Sequence, residues 1–530
     1  MKSFNTEGIC NPQKHYMVDI ADRLVKIKAM IDEGKYFTIN RARQFGKTTT
    51  LTALKNFIGD DYTVISLDFQ KISAGDFRSE EKFVRTFCKL LLSRKKAGLI
   101  IPMEVDDKLT EIITNEEIKD SLYDLFEIIT EWCGLCSQKL VLIIDEVDSA
   151  TNNQVFLDFL AQLRDNYLSR ESDGLPAFQS VILAGVTDVK HLKSKIRDDE
   201  QHKVNSPWNI AADFDIDMSL SEDGICGMLK EYDEDNAIGM DTIAMAKVIH
   251  AYTNGYPFLV SRLCYIIESK LVPEKFESKK EAWTMQGIDE AVKILLQEKN
   301  TLFDSLTGKL TNYPEIKAAL KRILMEGEKL TYNPDQEEIS LLEAYGFIKN
   351  QSNTVVVANR IFETRLYNLF LSEDELNDNT FSREGSLAKN IFIKNGELDV
   401  PLILEHFVRT YTQIFGELKD KFKEKDGREL FLLYLKPIIN GTGNYYIEAQ
   451  TRDQKRTDII IDYLGRQYII ELKIWHGERY NRKGEQQLSD YLSYFGLTTG
   501  YMLSFNFNDH KEVGVKEISL NGKKLIEATL

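Results

Sequence analysis

The chain has 530 residues, of which 43% are hydrophobic and 28% are charged, and its formal net charge is −16. This length predicts three or four domains, and the composition excludes a disordered or fibrous protein. The negative charge argues against a protein that coats nucleic acid indiscriminately, but it leaves room for a local basic groove.

The cysteines and the apolar runs indicate a cytoplasmic protein without a membrane segment. The six cysteines are scattered along the chain, as expected for reduced thiols. Cys133 and Cys136 form a lone C-x-x-C motif, which we interpret as two small helical residues rather than a zinc or redox site. The longest apolar runs, such as LVLIID, fall well short of the ~20 residues that span a bilayer. The N-terminal segment has no signal-peptide pattern.

The segment NRARQFGKTTTL at 40–51 ends like a phosphate-binding loop, whose usual pattern is G-x-x-x-x-G-K-[ST]. A β-rich run at 35–39 precedes it, and an apolar pattern with helical spacing at 48–59 follows it. Strand, loop and helix in this order place backbone N–H groups where a phosphate binds. Arg41 stands where the first glycine is usual, but that glycine eases a turn and takes no part in the chemistry.

We therefore interpret the loop as a working nucleotide site with ATP and Mg²⁺ as its cofactors. Lys47 is predicted to reach the β and γ phosphates, and the Thr48 hydroxyl is predicted to bind Mg²⁺. The nucleotide-binding residues predicted in this segment are Arg43, Gln44, Phe45, Gly46, Lys47, Thr48 and Thr49.

A second strand is predicted within KLVLIIDEVDSA, at 139–150, because its apolar run is typical of a strand buried on both faces. The run ends in Asp145 and Glu146. Asp145 is predicted to hold the Mg²⁺ through water, and Glu146 is predicted to position and polarise the attacking water. An acidic pair after a buried strand makes nucleotide binding a much better interpretation than a chance turn before a helix.

Several segments, among them YFTINRARQFGKTTTL, LVLIIDEVD, NSPWNIAADF and YTNGYPFLVSRLC, resemble the bacterial AAA-like ATPases known as predicted AAA-ATPases. The resemblance covers roughly residues 3–270. In that family an R-x-R-[QR]-[FY]-G-K loop replaces the usual one, so the resemblance implies that Arg41 is normal for the group. Members commonly carry a PD-(D/E)XK nuclease-like domain at the C-terminus.

The same resemblance implies further nucleotide-site residues. A γ-phosphate sensor is expected at the end of the strand at 180–189, with Thr187 or Asp188 as the candidates. Arg262, in the segment that resembles a lid, is expected to contact nucleotide. Arg164 and Arg170 are candidates for an arginine finger, although their alternative role is an ordinary surface ion pair.

The middle of the chain predicts a helical lid and then a winged-helix-like module. Residues 240–272 have a helical pattern with a Gly-Tyr-Pro break. Residues 316–370 have helical patterns followed by two strands around an NQSN turn. Because the segment QEEISLLEAYG is acidic, we favour an interdomain packing role over DNA binding for this module. The polar stretch at 371–386 is the best linker candidate.

The C-terminal region carries a second set of acidic residues on a predicted hairpin at 456–477. Asp458 opens the first strand, and Glu471 and Lys473 lie two apart on the second strand, hence on the same face. Carboxylate oxygens suit a hard cation such as Mg²⁺, which activates water for phosphodiester cleavage. Lys473 is predicted to orient that water or to stabilise developing negative charge. This is the D…(D/E)-x-K arrangement of the PD-(D/E)XK nucleases.

Flanking residues extend this prediction. Glu429, on an apolar helix upstream, stands where this superfamily often has an extra carboxylate. Gln487 and Tyr491 fit the Q-x-x-x-Y helix that often follows, with Gln486 as a competing choice. Basic residues on both sides of the motif offer local positive charge for phosphates: Arg452, Lys455, Arg456, Arg479, Arg482 and Lys483.

The fold class that follows is α/β, with an AAA/STAND-like P-loop NTPase core and a C-terminal restriction-endonuclease-like domain. The predicted divisions are an ATPase core at 1–220, a helical lid at 221–300, a winged-helix-like domain at 301–372, a linker at 373–390 and a nuclease-like domain at 391–530.

The predicted function is an ATPase coupled to a Mg²⁺-dependent nuclease-like domain acting on DNA, in defence or mobile-element biology. The alternatives left open are a nucleotide-switched regulator and an assembly scaffold, in which the C-terminal domain binds DNA or protein without cleaving. DNA is the expected partner. A homo-oligomer and a regulatory protein are the other partners considered, and no membrane is expected.

Overall fold

The computed structural model describes the chain except for residues 1, 116–120, 187–188, 190–192, 195–203, 326–327, 377–379, 395, 416–423, 440–442, 451–455, 464–465, 475–477, 495 and 507–511. The chain divides into two compact units. The first unit comprises the residues up to His250, together with Gly255–Tyr265 and Leu341–Phe347. The second unit comprises Ala251–Asn254, Ile266–Ser340 and Ile348–Leu530. No helix in the described part of the chain is long and apolar enough to cross a membrane.

The first unit is built around a four-stranded parallel sheet with the strand order β1-β4-β3-β2. Its strands are β1 (Phe37–Asn40), β2 (Thr63–Asp68), β3 (Leu140–Asp145) and β4 (Ser180–Gly185). All six residues of β3 are buried, because β3 lies between two strands and is covered on both faces. The strands predicted around the loop and before the acidic pair are therefore confirmed.

Two hydrophobic cores lie on opposite faces of this sheet, and β3 contributes alternate residues to each. Leu142 and Ile144 belong to one core, whereas Val141 and Ile143 belong to the other. This alternation follows from the two-residue period of a strand. The sheet is therefore the middle layer of an α/β sandwich, with its loops gathered at the carboxyl ends of the strands.

The helices of the first unit cover both faces of the sheet. Helices α1 (Ala21–Asp32) and α2 (Lys47–Ile58) supply one core. The helices that supply the other core are α3 (Glu80–Ser93), α4 (Met103–Thr114), α5 (Leu122–Leu135) and α6 (Gln154–Asp173). Two short strands follow, β5 (Lys193–Ser194) and β6 (Val204–Asn205), and then α7 (Glu222–Asn236), α8 (Thr242–Thr253) and α9 (Pro257–Ile266). The break at Asn254–Tyr256 confirms the predicted Gly-Tyr-Pro interruption of a helical segment.

The second unit begins with helices and a hairpin. The helices are α10 (Val272–Glu274), α11 (Lys279–Ala282), α12 (Met285–Gln297), α13 (Thr301–Asn312), α14 (Pro314–Leu324), α15 (Glu337–Ala344), which reaches into the first unit, and α16 (Arg360–Leu376). The predicted hairpin is confirmed as β7 (Ile348–Gln351) and β8 (Thr354–Val357). Ser352 and Asn353 both have positive φ, which suits a tight two-residue turn. The residues expected to form a linker are helical on both sides of 377–379, since α17 covers Thr380–Phe392.

The C-terminal part of the second unit is a six-stranded mixed sheet with the order β11-β12-β13-β14-β16-β15. Its elements are β9 (Ile393–Lys394), β10 (Glu397–Leu398), α18 (Val400–Phe415), α19 (Glu424–Ile439), β11 (Gly443–Gln450), β12 (Arg456–Tyr463), β13 (Arg466–Ile474), α20 (Glu478–Tyr494), β14 (Thr499–Phe505), β15 (Gly514–Leu520) and β16 (Lys523–Thr529), of which β9 and β10 pair only with each other. Strands β12 and β13 form the predicted antiparallel hairpin, in which β13 begins at Arg466. Gly500 faces Leu488 and Leu492 of α20, whereas Phe505 packs against Tyr411 of α18. Helices α20 and α18 therefore cover opposite faces of the sheet.

Arg170, one of the two arginine-finger candidates, has a structural role in the first unit. Its guanidinium donates hydrogen bonds to the carbonyls of Gly34, Phe178 and Gln179 at 2.7, 2.6 and 2.9 Å. It also lies over the rings of Tyr36 and Tyr167. These carbonyls precede β1 and β4, so Arg170 ties together the amino ends of two strands.

We therefore expect Arg170→Ala to lower the free energy of unfolding by about 2–4 kcal/mol, because it leaves part-buried carbonyls unsatisfied and removes a stacked cation. Urea unfolding measures this change. Arg164→Ala on the same helix is the matched control, since Arg164 is exposed and its loss should cost less than about 0.5 kcal/mol. Equal effects of the two substitutions would contradict the structural role.

Candidate nucleotide site and a second acidic site

The loop between β1 and α2 has the backbone shape that its glycine implies. Gly46 caps the amino end of α2 with φ 81°, in the left-handed region. Gln44 also has positive φ, at 56°. Two left-handed residues within three positions turn the chain sharply, so that the first backbone N–H groups of α2 point out of the helix towards an incoming anion.

Lys47 is the buried cation of this loop. Its side chain is 7% exposed, and its Nζ donates to the carbonyls of Arg41 and Ala42 at 2.8 and 3.1 Å. Burial lowers the pKa of Lys47, whereas the nearby carboxylates of Glu146, Asp148 and Asp145 oppose that shift. The ammonium group is thus held between the loop carbonyls and three acids, where a triphosphate can replace the carbonyls as its partner.

Thr48 and Asp145 join the loop to the carboxyl end of β3. The Thr48 hydroxyl donates to Oδ2 of Asp145 at 2.7 Å, and the backbone N–H of Glu146 donates to Oδ1 at 2.9 Å. Two hard oxygen donors side by side suit Mg²⁺, which binds one or two protein oxygens together with nucleotide phosphates. The residues present therefore fit the metal that the loop pattern implies.

Glu146 follows directly and has an unusual backbone conformation, with φ 56°. The pKa of its carboxyl is raised, first by burial and then by the neighbouring charge of Asp145. A raised pKa suits a group that accepts or shares a proton from water. Strain at a non-glycine residue of an acidic pair is also typical of functional sites.

Asp148 is a site residue that the sequence interpretation did not assign. Its Oδ2 accepts a hydrogen bond from the backbone N–H of Val186 at 2.8 Å. A Cβ added to Gly185 would lie 3.1 Å from the same oxygen, so only glycine leaves this approach free. Asp148 thereby links the loop after β3 to the loop after β4. The D-E-x-D spacing was the available signal.

Arg41 explains how the loop begins without its first glycine. Its backbone N–H donates to the carbonyl of Gly185 at 3.1 Å, and its Nη2 donates to the carbonyl of Ile216 at 2.9 Å. The guanidinium lies 5.5 Å from the ring centre of Phe214. The side chain therefore points away from the loop interior, bound to the segment that follows the sheet, and it leaves the phosphate position open.

The N-terminal segment lies beside the loop helix. The backbone N–H of Cys10 donates to the Thr49 hydroxyl at 3.3 Å, and Arg262 of α9 lies 3.5 Å from the Thr6 hydroxyl. Arg262 also lies over the ring of Tyr265. The nucleotide contact expected of Arg262 stays a prediction. Both sensor candidates, Thr187 and Asp188, lie outside the described residues.

The C-x-x-C motif lies at the end of α5. Burial raises the pKa of the Cys133 thiol to about 12 and also raises the pKa of Cys136. A reactive thiol requires a lowered pKa. Both residues pack against the core that α5 helps to form.

A second set of charged residues lies in the C-terminal sheet. Glu471 is 1% exposed, and the Nζ of Lys473 lies 2.9 Å from its Oε1. A Cβ on Gly484 of α20 would lie 3.1 Å from Cε of Lys473, so this glycine leaves room for the lysine stem. The predicted pair is thus brought together beneath α20, on a strand with neighbours on both sides.

The other predicted residues of this region lie on β12, α20 and α19. Asp458 lies in β12 just before Ile459, which pairs with Ile470, the residue before Glu471, but the side chain of Asp458 lies outside the described residues. Gln487 is in α20 and donates to the Tyr491 hydroxyl at 3.1 Å. Glu429 is half-buried on α19, which packs against β13. Their catalytic roles stay predictions.

Glu527 is a buried acid that the sequence interpretation missed. Strand register places Met502 beside Glu471, and Glu527 beside Met502, so the three share one face of the sheet. Glu527 is 1% exposed, accepts a hydrogen bond from Ser504 at 2.6 Å and lies 2.8 Å from the Nζ of Lys516. A lone glutamate in the apolar run LIEATL was the available signal.

The parallel sheet, the Gly46-Lys47-Thr48 loop and the Asp145-Glu146 pair at the carboxyl end of β3 define a P-loop ATPase. The chain belongs to the AAA-like domain family, whose model matches residues 14–372. This confirms the coarse fold predicted for the first part of the chain.

The known structures that match this chain share little sequence with it. A Walker-type ATPase of Pyrococcus abyssi matches at 13% identity and a TM-score of 0.46, over 69% of this chain and 99% of that one. Cdc6p from Pyrobaculum aerophilum matches at 14% identity and a TM-score of 0.31, over 70% and 97%. The RuvB Holliday junction branch migration motor of Thermotoga maritima matches at 11% identity and a TM-score of 0.30, over 64% and 92%. No sequence among the curated proteins matches this chain.

Glu146→Gln tests the division of work within the nucleotide site. We expect this variant to bind ATP with nearly unchanged affinity but to lose hydrolysis by about 100-fold or more, because the amide cannot accept a proton from water. Lys47→Ala should instead lose nucleotide binding itself. Fluorescent-nucleotide titration and phosphate release separate the two effects. Unimpaired hydrolysis by Glu146→Gln would exclude the assigned role.

The pH dependence of hydrolysis follows from the raised pKa of Glu146. The group works as a carboxylate, so activity is present above its pKa in the folded protein and is lost as the pH falls through that pKa. Because this pKa is raised above its ordinary value of 4.5, the acid limb of the kcat profile should lie above pH 4.5. Nucleotide affinity measured over the same range is the control. An acid limb shared by binding and kcat would point to another group.

Proposed function

We propose that this AAA-like ATPase is coupled to a Mg²⁺-dependent nuclease-like domain of the PD-(D/E)XK kind that acts on DNA. The observation that carries the proposal is the ion pair of the buried Glu471 and the partly buried Lys473, 2.9 Å apart on the third strand of a six-stranded sheet. A glutamate and a lysine on one face of a central strand are costly unless they are used.

The arrangement of the sheet supports this use of the pair. Strand β12, which carries Asp458, runs antiparallel beside β13, and the register places Asp458 one residue from the Ile459–Ile470 pair. In an antiparallel ladder the next residue pair would be Asp458 and Glu471, whose side-chain positions share one face. Carboxylates from facing positions of a ladder are oxygen donors of the kind that a hard divalent cation requires.

Asp458 and Glu471 would hold Mg²⁺ in this domain. The metal supplies polarisation of the phosphoryl oxygen and a lowered pKa for its bound water. The part of Lys473 follows from its geometry. Its ammonium pairs with Glu471 and its stem packs under Gly484, so it would supply a fixed positive charge for the phosphate that gains negative charge during cleavage.

DNA is the proposed partner because two acidic residues and a lysine in this arrangement are suited to phosphodiester cleavage. The net charge of −16 restricts DNA binding to a local groove, so we expect weak non-specific affinity with marked salt dependence. In the nucleotide site, Thr48 and Asp145 would bind the Mg²⁺ that accompanies ATP. We further propose that nucleotide state controls access to the nuclease-like domain, in a homo-oligomer or with a regulatory protein, in defence or mobile-element biology.

A nucleotide-switched regulator or scaffold is the second candidate. The deep burial of Glu471 favours it, because a 1% exposed carboxylate must become accessible before it can bind a metal and a substrate. In that case the C-terminal domain would bind DNA or protein without cleaving. ATP hydrolysis stimulated by DNA would argue against a scaffold without DNA affinity.

The decisive experiment is cleavage of plasmid and branched DNA by the full chain with Mg²⁺ or Mn²⁺, with and without ATP. We expect cleavage by the wild type and a loss of about 100-fold or more in Asp458→Ala and Lys473→Ala, because each removes a group that is needed at the reacting phosphate. The matched control is Lys524→Ala, which removes an exposed ion pair with Glu517 from the same sheet and should cleave normally.

Two outcomes would contradict the nuclease. One is undiminished cleavage in Lys473→Ala, which would point to a contaminating enzyme. The other is no cleavage under any of these conditions while ATP hydrolysis is intact, which would favour the regulator. A Lys47→Ala lane shows whether the nucleotide site controls the nuclease-like domain.

A further inference from the structure

The turn before α9 packs against the phosphate loop. Gly255 has φ 69°, and its carbonyl accepts a hydrogen bond from the backbone N–H of Leu220 at 2.8 Å. A Cβ on Gly255 would lie 2.2 Å from the carbonyl oxygen of Leu220, so no other residue fits without moving the backbone. This close approach fixes the direction in which the next residue, Tyr256, leaves the turn.

Tyr256 makes two separate contacts with the phosphate loop. Its hydroxyl donates a hydrogen bond to the carbonyl of Arg43. Its ring meets the ring of Phe45 edge to face, with centroids 4.8 Å apart and planes at 76°. Tyr256 is 3% exposed, and burial raises the pKa of its hydroxyl, so the hydroxyl stays a donor at every working pH.

Two residues near Tyr256, Pro257 and Gly346, pack against other parts of the phosphate loop. Cγ of Pro257 lies 3.8 Å from the Cβ position of Gly46. On another side, a Cβ on Gly346 would lie 2.7 Å from Cβ of Ala42 and 3.9 Å from the Tyr256 ring. Gly346 also has φ 79°, in the left-handed region. Four residues of the loop, at positions 42, 43, 45 and 46, are thus in contact with two glycine turns that lie far away in the sequence.

These contacts bear on how Lys47 is held. Its ammonium depends on the carbonyls of Arg41 and Ala42 pointing inward, so the peptide groups at the start of the loop need one orientation. An arginine at position 41 cannot take the backbone conformations that are open to glycine. The shape of this loop therefore has to be set by packing from outside, and the Tyr256 hydroxyl contributes a hydrogen bond to the loop carbonyl of Arg43.

We propose that Tyr256 is a positioning residue of the phosphate loop, with the Gly346 turn as the opposite wall, and that together they hold the loop ready for nucleotide. Tyr256 acts through Arg43 and Phe45 rather than by touching the phosphates. The proposal rests on nucleotide binding by the P-loop and is independent of the nuclease-like domain.

Tyr256→Phe tests the hydroxyl alone, because it keeps the ring against Phe45. Without the hydrogen bond the loop should leave its competent shape part of the time, which raises the apparent dissociation constant by the inverse of the competent fraction. We expect ATP and ADP to bind about 5- to 15-fold more weakly, with KM for ATP raised alike and kcat changed less than about twofold. Fluorescent-nucleotide titration and steady-state hydrolysis measure these values.

The control is Tyr62→Phe, which removes a hydroxyl that donates to Asp32 at 2.7 Å, at the end of the sheet away from the loop. It should leave both dissociation constants unchanged. If Tyr256→Phe lowers the melting temperature but leaves ATP affinity equal to that of wild type, the residue is merely structural and the proposal is overturned. A fall in kcat without a change in affinity would overturn it as well.

The opposite wall has its own test. Gly346→Ala places a methyl group against Ala42 and should weaken ATP binding at least as much as Tyr256→Phe does. Adding Ala42→Gly removes the atom that the new methyl would meet. The double variant should therefore lose less ATP affinity than the sum of the losses in the two single variants. Strictly additive losses would mean that Gly346 matters only for its own backbone, and that the Gly346 turn is not a wall of the loop.

Discussion

The hydrogen bond between Thr48 and Asp145 is the contact on which the nucleotide site depends. It joins the helix that follows the phosphate loop to the carboxyl end of β3, at 2.7 Å. It can form only because β4 lies between β1 and β3, so that the ends of three strands meet. Every other feature of the site is arranged around this junction: Lys47 lies between loop and acids, and Asp148 ties the loop after β4 to the same edge.

The two charged sites of the protein hold a buried lysine in different ways. Lys47 is bound by backbone carbonyls, which a phosphate can replace without leaving a charge unpaired. Lys473 is bound by the carboxylate of Glu471, so its partner stays with it whatever else enters. The first site is therefore suited to binding and releasing a nucleotide, whereas the charge of Lys473 is already paired within its own strand.

Local patterns predicted the elements that carry these sites. The apolar run of β3 and the glycine before Lys47 led to the correct strand and helix, because burial on both faces and a helix start are both visible within a dozen residues. Part of the stretch expected to be a linker is helical: α17 packs against α18 through Phe381, which a polar composition conceals, and against α19 at Gly385. Arg170 looked like a surface arginine, but the carbonyls of Phe178 and Gln179 and the distant carbonyl of Gly34 bind it.

The sequence by itself determined that a strand, a phosphate loop and a helix follow one another, and that acids end a buried strand, because these are short-range patterns of residue type. Only the tertiary structure decided what surrounds them. Arg41 is harmless because Ile216 binds it, Tyr256 reaches the loop because Gly255 packs on Leu220, and Glu527 shares a sheet face with Glu471 through strand order. Contacts between residues that are far apart in the sequence depend on strand order and helix packing, and no local pattern of residue types predicts either.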